Sequence, residues 1–411
     1  MRELFSYVER FKDERFVARI DDQLLDSSSF PALIADLAQC ARIGVRVVLV
    51  AGARSRIDSV LEQYDSSSRI IDGVRISEAS AMPLIEMAAF DSATKIMTRM
   101  TGEGVDAVIG NWVRARTLGV VDGVDFEQTG VVDRIDLSHL DRLIDDGVIP
   151  ILPCIGWNRR GQAYNLSSKK LACELAKRIH ARKLIFCNSD QIDLPSRLTN
   201  RSAEQLLEAS DPGRARDFLS HALDAIGSGV TRIHALDASK DGALLFEIFT
   251  NIGSGVMVFT EGYESVRSLT NRDIPAVLAI MKPHVDSDRL LLRSESDISN
   301  RFDDMYVYDI DGTVHGVVGL EEYEDRTGEI YSLAVDNAVA KLGVGKQLLR
   351  KTIDEARRKK LKRIVACTTQ AFDWFHEFGF EPTTVDSLPP ERRAQWLPER
   401  NSRVIALELD R

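Results

Sequence analysis

The sequence predicts an α/β protein with two domains, a parallel-sheet sandwich over residues 1–262 and a smaller α+β domain over residues 263–411. Three observations indicate this fold class. Apolar runs alternate with amphipathic segments as far as Phe259, a polar stretch follows, and the remaining residues show a different order of elements. Apolar strands that alternate with helices are typical of a mostly parallel sheet covered on both faces.

The first domain carries the strand and helix patterns of such a sandwich. The stretch 168–181 has Leu171, Leu175, Ala176 and Ile179 at helical spacing, which predicts an amphipathic helix. The candidate buried strands are 16–20, 45–52, 149–156, 183–188 and 232–236.

The second domain begins after the polar segment 260–273, which is interpreted as a short linker. A helix over 273–281 precedes two alternating apolar segments that predict an antiparallel meander. The predicted strands are 305–309, 314–321, 329–335, 363–367 and 403–409, and the later helices begin near Lys346 and Phe372.

Composition excludes several classes of function. The 53 basic and 63 acidic residues give a net charge of −10, which disfavours binding to nucleic acid or to an anionic membrane. The five cysteines form no CxxC pair, and no His–His or His–Cys spacing indicates a metal site. No apolar run approaches the roughly 18 residues of a membrane helix. We therefore expect a cytoplasmic protein without a metal.

The segment 329–360 holds the most informative motif. A strand runs into a loop with Gly343 and Gly345, which opens directly into a helix. The free N–H groups at a helix start form an anion site, and Lys341 and Lys346 flank the loop. This pattern indicates pyrophosphate binding, although a GxG pair also fits a tight turn without a ligand.

This segment resembles the GNAT acetyltransferase superfamily. The family's (Q/R)xxGx(G/A) loop matches at Gly343 and Gly345, and its late Gly-Phe pair matches at 379–380. The resemblance implies acetyl-CoA as co-substrate, bound by 343–346 and Lys341 at the pyrophosphate. It also places the backbone of Leu333 and Val335 along the pantetheine arm. Ala340 departs from the family's Gln or Arg.

Along its whole length the chain resembles the bacterial N-acetylglutamate synthase family, in which an amino-acid-kinase-like domain precedes a GNAT domain. The similar segments are collinear: 110–130, 151–186, 241–253, 290–299, 368–380 and 400–409. The resemblance implies acetyl transfer from acetyl-CoA to the α-amine of L-glutamate, the first step of arginine biosynthesis.

The same resemblance assigns residues to the reaction. Glu329 matches the family's general base, which removes a proton from the amine before it attacks. Arg293, Ser332, Arg400 and Ser402 match the positions that bind glutamate, and Arg403 is a further candidate. Where bacterial members have a serine as general acid, the chain has Ala371. Thr368, Thr369 or water are the alternatives.

The first domain is expected to regulate rather than to transfer phosphate. Kinases of this fold carry Lys-x-Gly-Gly where this chain has 19–22, Arg-Ile-Asp-Asp, and two carboxylates repel phosphate. The resemblance implies an arginine site that involves Tyr7, Lys183, Glu247 and Gly253. It also implies a homo-oligomer, with a hexamer as one candidate.

The sequence leaves two other functions open. Ala340, Ala371 and the altered glycine stretch 252–256 favour a non-catalytic arginine-binding regulator with a decayed GNAT domain. A GNAT enzyme that acts on another amine, such as a different amino acid, is the second alternative. Arg293 and Arg400 argue against a cationic polyamine as the substrate.

Overall fold

The structure of the protein, a computed structural model, describes residues 11–250, 253–260, 264–310 and 312–409. The chain divides into two units, Met1–Glu261 and Gly262–Arg411, while the predicted boundary at 262/263 lies outside the described residues. Within the described ranges, no helix combines the length and the apolar character that crossing a membrane requires.

The first unit alternates strands and helices, which confirms the predicted α/β class. Its strands are β1 Arg15–Ile20, β2 Arg46–Ala51, β3 Ile70–Ile71, β4 Val74–Arg75, β5 Ala107–Ile109, β6 Val113–Thr117, β7 Val120–Val121, β8 Val124–Asp125, β9 Gly130–Ile135, β10 Ile149–Leu152, β11 Ile155–Trp157, β12 Ala163–Asn165, β13 Lys183–Asn188, β14 Arg197–Thr199, β15 Arg232–Asp237 and β16 Val256–Phe259. Its helices are α1 Phe30–Arg42, α2 Arg54–Gln63, α3 Met82–Gly102, α4 Leu137–Asp145, α5 Ser168–Arg178, α6 Asn200–Ala209, α7 Arg214–Gly227 and α8 Ala243–Phe249.

An eight-stranded sheet forms the centre of this unit, in the order β14-β16-β15-β13-β1-β2-β10-β5. Its strands are parallel except for the β15–β16 pair. Alternate residues of β2 face opposite sides: Val48 packs with Leu171 and Leu175 of α5, and Leu49 packs with Leu37 of α1. Both faces are thus covered, as the apolar strand sequences predict.

The predicted strand 149–156 is wrong as a single element. It divides into β10 in the large sheet and β11 in a second sheet, whose order is β12-β11-β6-β9. Pro153 stands between the two and has no backbone N–H for a ladder hydrogen bond. The apolar run continues through the break because both parts are buried.

The second unit has the predicted antiparallel strands followed by a strand–loop–helix unit. Its strands are β17 Glu264–Ser268, β18 Met305–Ile310, β19 Thr313–Glu322, β20 Thr327–Val335, β21 Arg363–Thr368, β22 Glu381–Thr383 and β23 Arg403–Glu408. Its helices are α9 Ile274–Asp286, α10 Glu295–Ser299, α11 Val344–Arg358, α12 Phe372–His376 and α13 Pro390–Ala394.

These strands form one sheet, β17-β18-β19-β20-β21-β23-β22, in which β20–β21 is the parallel pair. Leu348 and Leu349 of α11 pack on one face, and Val277 and Met281 of α9 pack on the other. The predicted linker 260–273 is wrong in part, because β17 pairs antiparallel with β18 at the edge of the sheet. An edge strand can carry polar residues, since one side of it needs no partner strand.

Candidate active site

Strand β20 is irregular where the predicted site begins. It pairs with β21 from Thr327 to Ile330 and then continues to Val335 without a β21 partner. Against β19, two steps from Val317 to Gly319 correspond to three steps along β20, which indicates a bulge. Ser332 lies in this bulge with φ 51°, a strained conformation of the kind that clusters at functional sites.

The glycine loop places a helix N-terminus beside the end of β20. Gly343 has φ 75°, a left-handed conformation that glycine adopts without strain, and α11 starts at the buried Val344. A Cβ atom on Gly345 would lie 3.7 Å from Val335 Cγ2 and 3.5 Å from the Trp374 ring. The first-turn N–H groups have no acceptor within the helix and favour an anion. The predicted cofactor-binding strand and loop therefore meet.

The other residues predicted to bind the cofactor differ in their exposure and in the contacts they already make. Leu333 and Val335 are half-buried, and His284 Nε2 donates to the Val335 carbonyl over 3.1 Å, so that carbonyl already has a donor. Lys346 Nζ lies 3.3 Å from Glu377 Oε2, with both side chains more than half exposed, so this ion pair is weak. The side chain of Lys341 lies outside the described part of the structure.

Glu329, the predicted general base, is 5% exposed and is held by two residues that the sequence did not indicate. Arg392 Nε donates to both carboxylate oxygens, over 2.7 and 2.9 Å. The Tyr323 hydroxyl donates to Oε2 over 2.9 Å. Burial and the adjacent Glu329 carboxylate raise the pKa of Tyr323 far above its ordinary value, so this hydroxyl remains a donor.

Arg293 and Ser332, both predicted to bind the substrate, lie in contact. Arg293 Nε donates to Ser332 Oγ over 3.0 Å, and its guanidinium lies 4.6 Å from the centre of the Tyr331 ring. Burial and the neighbouring Arg301 guanidinium lower the pKa of Arg293. Arg301, which was not predicted, lies over the same ring and pairs with Glu321 at 2.7 Å. These residues and Glu329 make one cluster of opposite charges.

Arg400 approaches the same cluster from the segment before β23. Its Nη2 donates to the Asp288 carbonyl over 2.9 Å. Its positive charge lies close enough to Cys367, which contacts Arg392, to favour the ionised thiol there. Burial raises the pKa of the Cys367 thiol to about 11, so the thiol stays neutral. Ser402 is half-buried two residues further along the chain. Arg403 instead lies over the Phe372 ring, 5.2 Å from its centre.

At the position predicted for the general acid the chain has Ala371, whose side chain is a methyl group. Ala371 precedes α12, and its backbone N–H donates to Thr368 Oγ1 over 2.9 Å. Thr368 is 9% exposed and Thr369 is exposed. The Thr368 hydroxyl accepts this bond and keeps its own proton, so it can still donate one.

In the first unit, three of the four predicted arginine-binding residues lie together. Glu247 Oε1 accepts from His234 Nδ1 over 2.6 Å, and Oε2 accepts from the N–H groups of Ser254 and Gly255 over 2.6 and 2.9 Å. Gly253 packs against this carboxylate. The positive charge of Lys183 helps to lower the pKa of the adjacent His234, and Lys183 Nζ donates to the Ile248 carbonyl. Tyr7 lies outside the described residues.

The kinase phosphate position holds an internal ion pair. Arg19 is 4% exposed at the end of β1, and its Nη1 lies 2.8 Å from Asp21 Oδ2. Its Nε donates to Ser168 Oγ, and a Cβ on Gly52 would lie 2.8 Å from its Nη2. The guanidinium therefore occupies the ends of β1 and β2, where the resemblance to the kinases places the phosphate. Among the described residues, no group of His, Cys, Asp and Glu side chains is arranged to hold a metal.

Comparisons with known proteins identify both units. Residues 14–237 match the amino acid kinase family, and residues 267–380 match the acetyltransferase (GNAT) family. An amino-acid acetyltransferase of Neisseria meningitidis is 30% identical over 426 residues, which cover 100% of this chain and 98% of that protein. The amino-acid acetyltransferase of Escherichia coli strain K12 is 29% identical over 430 residues, 99% of this chain and 97% of its own length.

Solved structures give the same result. N-acetylglutamate synthase from Neisseria gonorrhoeae, complexed with coenzyme A and L-arginine, superposes with a TM-score of 0.86 at 29% identity, covering 100% of this chain and 98% of that one. The same enzyme complexed with coenzyme A and N-acetyl-glutamate gives 0.64 at 30% identity over the same shares. With both domains matched over the full length, the chain belongs to the family of amino-acid acetyltransferases that comprises the bacterial N-acetylglutamate synthases.

Proposed function

We propose that this acyltransferase moves the acetyl group of acetyl-CoA to the α-amine of L-glutamate, which gives N-acetyl-L-glutamate and CoA. The observation that carries the proposal is that Glu329, Arg293 and Ser332 lie close together at and before the bulge of β20, and that the end of this strand, Val335, lies beside the N-terminus of α11. A carboxylate, a cation and a helix start thus lie along the part of β20 that separates from β21.

In the proposed reaction, acetyl-CoA lies along β20 with its pyrophosphate at Gly343–Lys346 and its pantetheine arm at Leu333 and Val335. Arg293, Ser332, Arg400 and Ser402 bind the two carboxylates of glutamate. Glu329 takes a proton from the ammonium group, and the resulting amine attacks the thioester carbonyl. The C–N bond forms and the C–S bond breaks. The nitrogen then releases its second proton, the thiolate takes up one proton through Thr368, Thr369 or water and leaves as the thiol, and Glu329 returns its proton to solvent. CoA thiolate is a tolerable leaving group, because thiols ionise near pH 8.5.

We infer a regulatory role for the first unit, residues 1–262, with the transferase in residues 263–411. The Lys183, Glu247 and Gly253 cluster supports an arginine site, and the Arg19–Asp21 pair argues against phosphate binding. The gonorrhoeal relative was crystallised with L-arginine, which makes arginine the first effector to test. A homo-oligomer and a cytoplasmic location stay predictions, to be checked by light scattering and by cell fractionation.

The test is an acceptor assay with purified protein, in which free thiol is followed after acetyl-CoA is mixed with one amine at a time. Glutamate should give the highest kcat/KM. Glutamine, which differs only at the γ-carboxyl group, should lose about 10-fold or more, because a cationic site is then left without its anion. CoA release with another amino acid but not with glutamate would establish a different acceptor. No release with any amine would favour the non-catalytic regulator.

A further inference from the structure

Arg392 contacts both carboxylate oxygens of Glu329, the proposed catalytic base, from the segment between β22 and β23. It lies in α13, 63 residues from Glu329 along the chain, and the side chains are 15% and 7% exposed. We propose that Arg392 is a positioning residue that supplies the cation in contact with the Glu329 carboxylate and turns one of its oxygens toward the amine. The inference rests on the proposed acetyl transfer and adds a residue to its mechanism.

Among the described groups around Glu329, Arg392 is the cation in direct contact with the carboxylate. Glu321 lies opposite on β19 and is neutralised by Arg301. Tyr323, in the turn after β19, and Cys367, on β21, keep their protons. Arg293 acts on Glu329 through space, whereas Arg392 is in direct contact. A buried carboxylate without a contacting cation favours its protonated form, which cannot act as a base.

The same contacts define which oxygen accepts the proton. A carboxylate offers about four lone-pair positions. Oε2 accepts from both Arg392 Nε and the Tyr323 hydroxyl, while Oε1 accepts from Arg392 Nε. One position therefore remains on Oε1, and we assign proton abstraction to this atom.

The rest of the Arg392 guanidinium is held by the protein. Nη1 donates to the Gln395 carbonyl over 3.4 Å, and Nη2 donates to Cys367 Sγ over 3.8 Å. Each nitrogen thus has an internal acceptor, which distinguishes Arg392 from a residue that waits for a substrate carboxylate. Its replacement is expected to change kcat rather than the KM for glutamate.

The adjacent Arg393 provides a matched control. It lies on the same short helix, its side chain is 44% exposed, and its Nη2 donates to the Leu388 carbonyl over 3.1 Å, away from Glu329. R393Q removes the same charge from α13 without touching the base. R392K keeps a positive charge but loses the planar guanidinium that bridges both oxygens.

The experiment measures kcat and the glutamate KM of the full-length wild type, R392Q, R392K, R393Q and E329Q. R392Q should lower kcat about 10- to 100-fold, a loss no larger than that of E329Q, with a KM within about twofold. R392K should restore part of kcat, and R393Q should match the wild type.

Thermal unfolding of each variant separates these effects from loss of fold. If R392Q does not fold, R392K must still lower kcat at unchanged KM. A raised KM with normal kcat, or a kcat equal to that of R393Q, would overturn the inference. A wild type that uses another amine refutes the proposed acceptor alone, and the comparison then runs with that amine. A wild type that accepts no amine overturns both.

Discussion

His234 and Glu247 form a buried pair in the first unit, with 2.6 Å between Nδ1 and Oε1. Burial lowers the pKa of His234 to about 4, although the hydrogen bond to Glu247 opposes the shift. Burial opposes the ionisation of Glu247, but the hydrogen bonds from His234, Gly255 and Ser254 outweigh it and hold its pKa at about 2. The folded protein thus favours a neutral imidazole that donates to a carboxylate.

This pair predicts a loss of stability in acid. The unfolded chain binds more protons than the fold between pH 6.5 and 4 at His234, and between pH 4.5 and 2 at Glu247. From pH 7 to pH 5, His234 should lower the free energy of unfolding by roughly 1–2 kcal/mol. H234N keeps a donor without the titration and should lose less, as measured by urea unfolding at both pH values. H139N, at an exposed histidine, should behave as the wild type does. If the wild type, H234N and H139N all lose the same free energy of unfolding, His234 is not the cause of the loss in acid.

At this scale, the sequence could indicate residues at motif positions but not their partners. Glu329, Arg293 and Ser332 are predicted from segments that match a family, and the structure brings them into one cluster. Arg392 and Tyr323 were missed, because the first reaches Glu329 across 63 residues and the second from a turn. No spacing rule connects them to β20. The roles of all five stay predictions.

At the scale of elements, runs with strong patterns were located well. The predicted strand 183–188 coincides with β13, and the apolar residues predicted for the helix 168–181 are buried, although α5 ends at Arg178. The failures have local causes. Pro153 interrupts an apolar run that serves two sheets, and β17 is an edge strand with a polar sequence. Burial produces the hydrophobic signal, so a strand that is only partly buried gives a weak one.

The loop before α11 allows the two glycines to be tested separately. Gly343 has φ 75° and open space around its Cβ position, so G343A should cost about 1 kcal/mol through backbone strain alone. At Gly345, which lies in the first turn of α11, a Cβ would make ordinary contacts, so G345A should not lower the stability. If the pyrophosphate lies against this backbone, G345A should raise the KM for acetyl-CoA about tenfold, or about 1.4 kcal/mol. Thermal unfolding and kinetics measure the two effects, and an unchanged KM in G345A would remove Gly345 from the site.

At the scale of the whole molecule, the net charge of −10 describes the surface and not the candidate sites. In the second unit Arg293 and Arg301 lie over the Tyr331 ring at the bulge of β20, Arg392 contacts Glu329 on the same strand, and Arg400 lies near Cys367 on β21. In the first unit Glu247 and Lys183 are 5% and 3% exposed. Such local clusters cannot be read from composition, because they join residues that are distant in sequence. The full-length match to the synthases, and not the composition, indicates the family of the protein.

The arginine proposal makes a prediction for the intact protein. A ligand that binds the folded state at 100 times its Kd adds about 2.7 kcal/mol of stability, so arginine should raise the Tm by several degrees. Citrulline has the same length but no charge on its side chain and should have little effect, since a guanidinium pairs with a carboxylate in a charge-assisted bond. E247Q should abolish the arginine shift, whereas E208Q, at an exposed position of α6, should retain it. Differential scanning fluorimetry measures all four cases. Equal shifts with arginine and citrulline would show that the site does not read the charge, and a full shift in E247Q would place the arginine elsewhere.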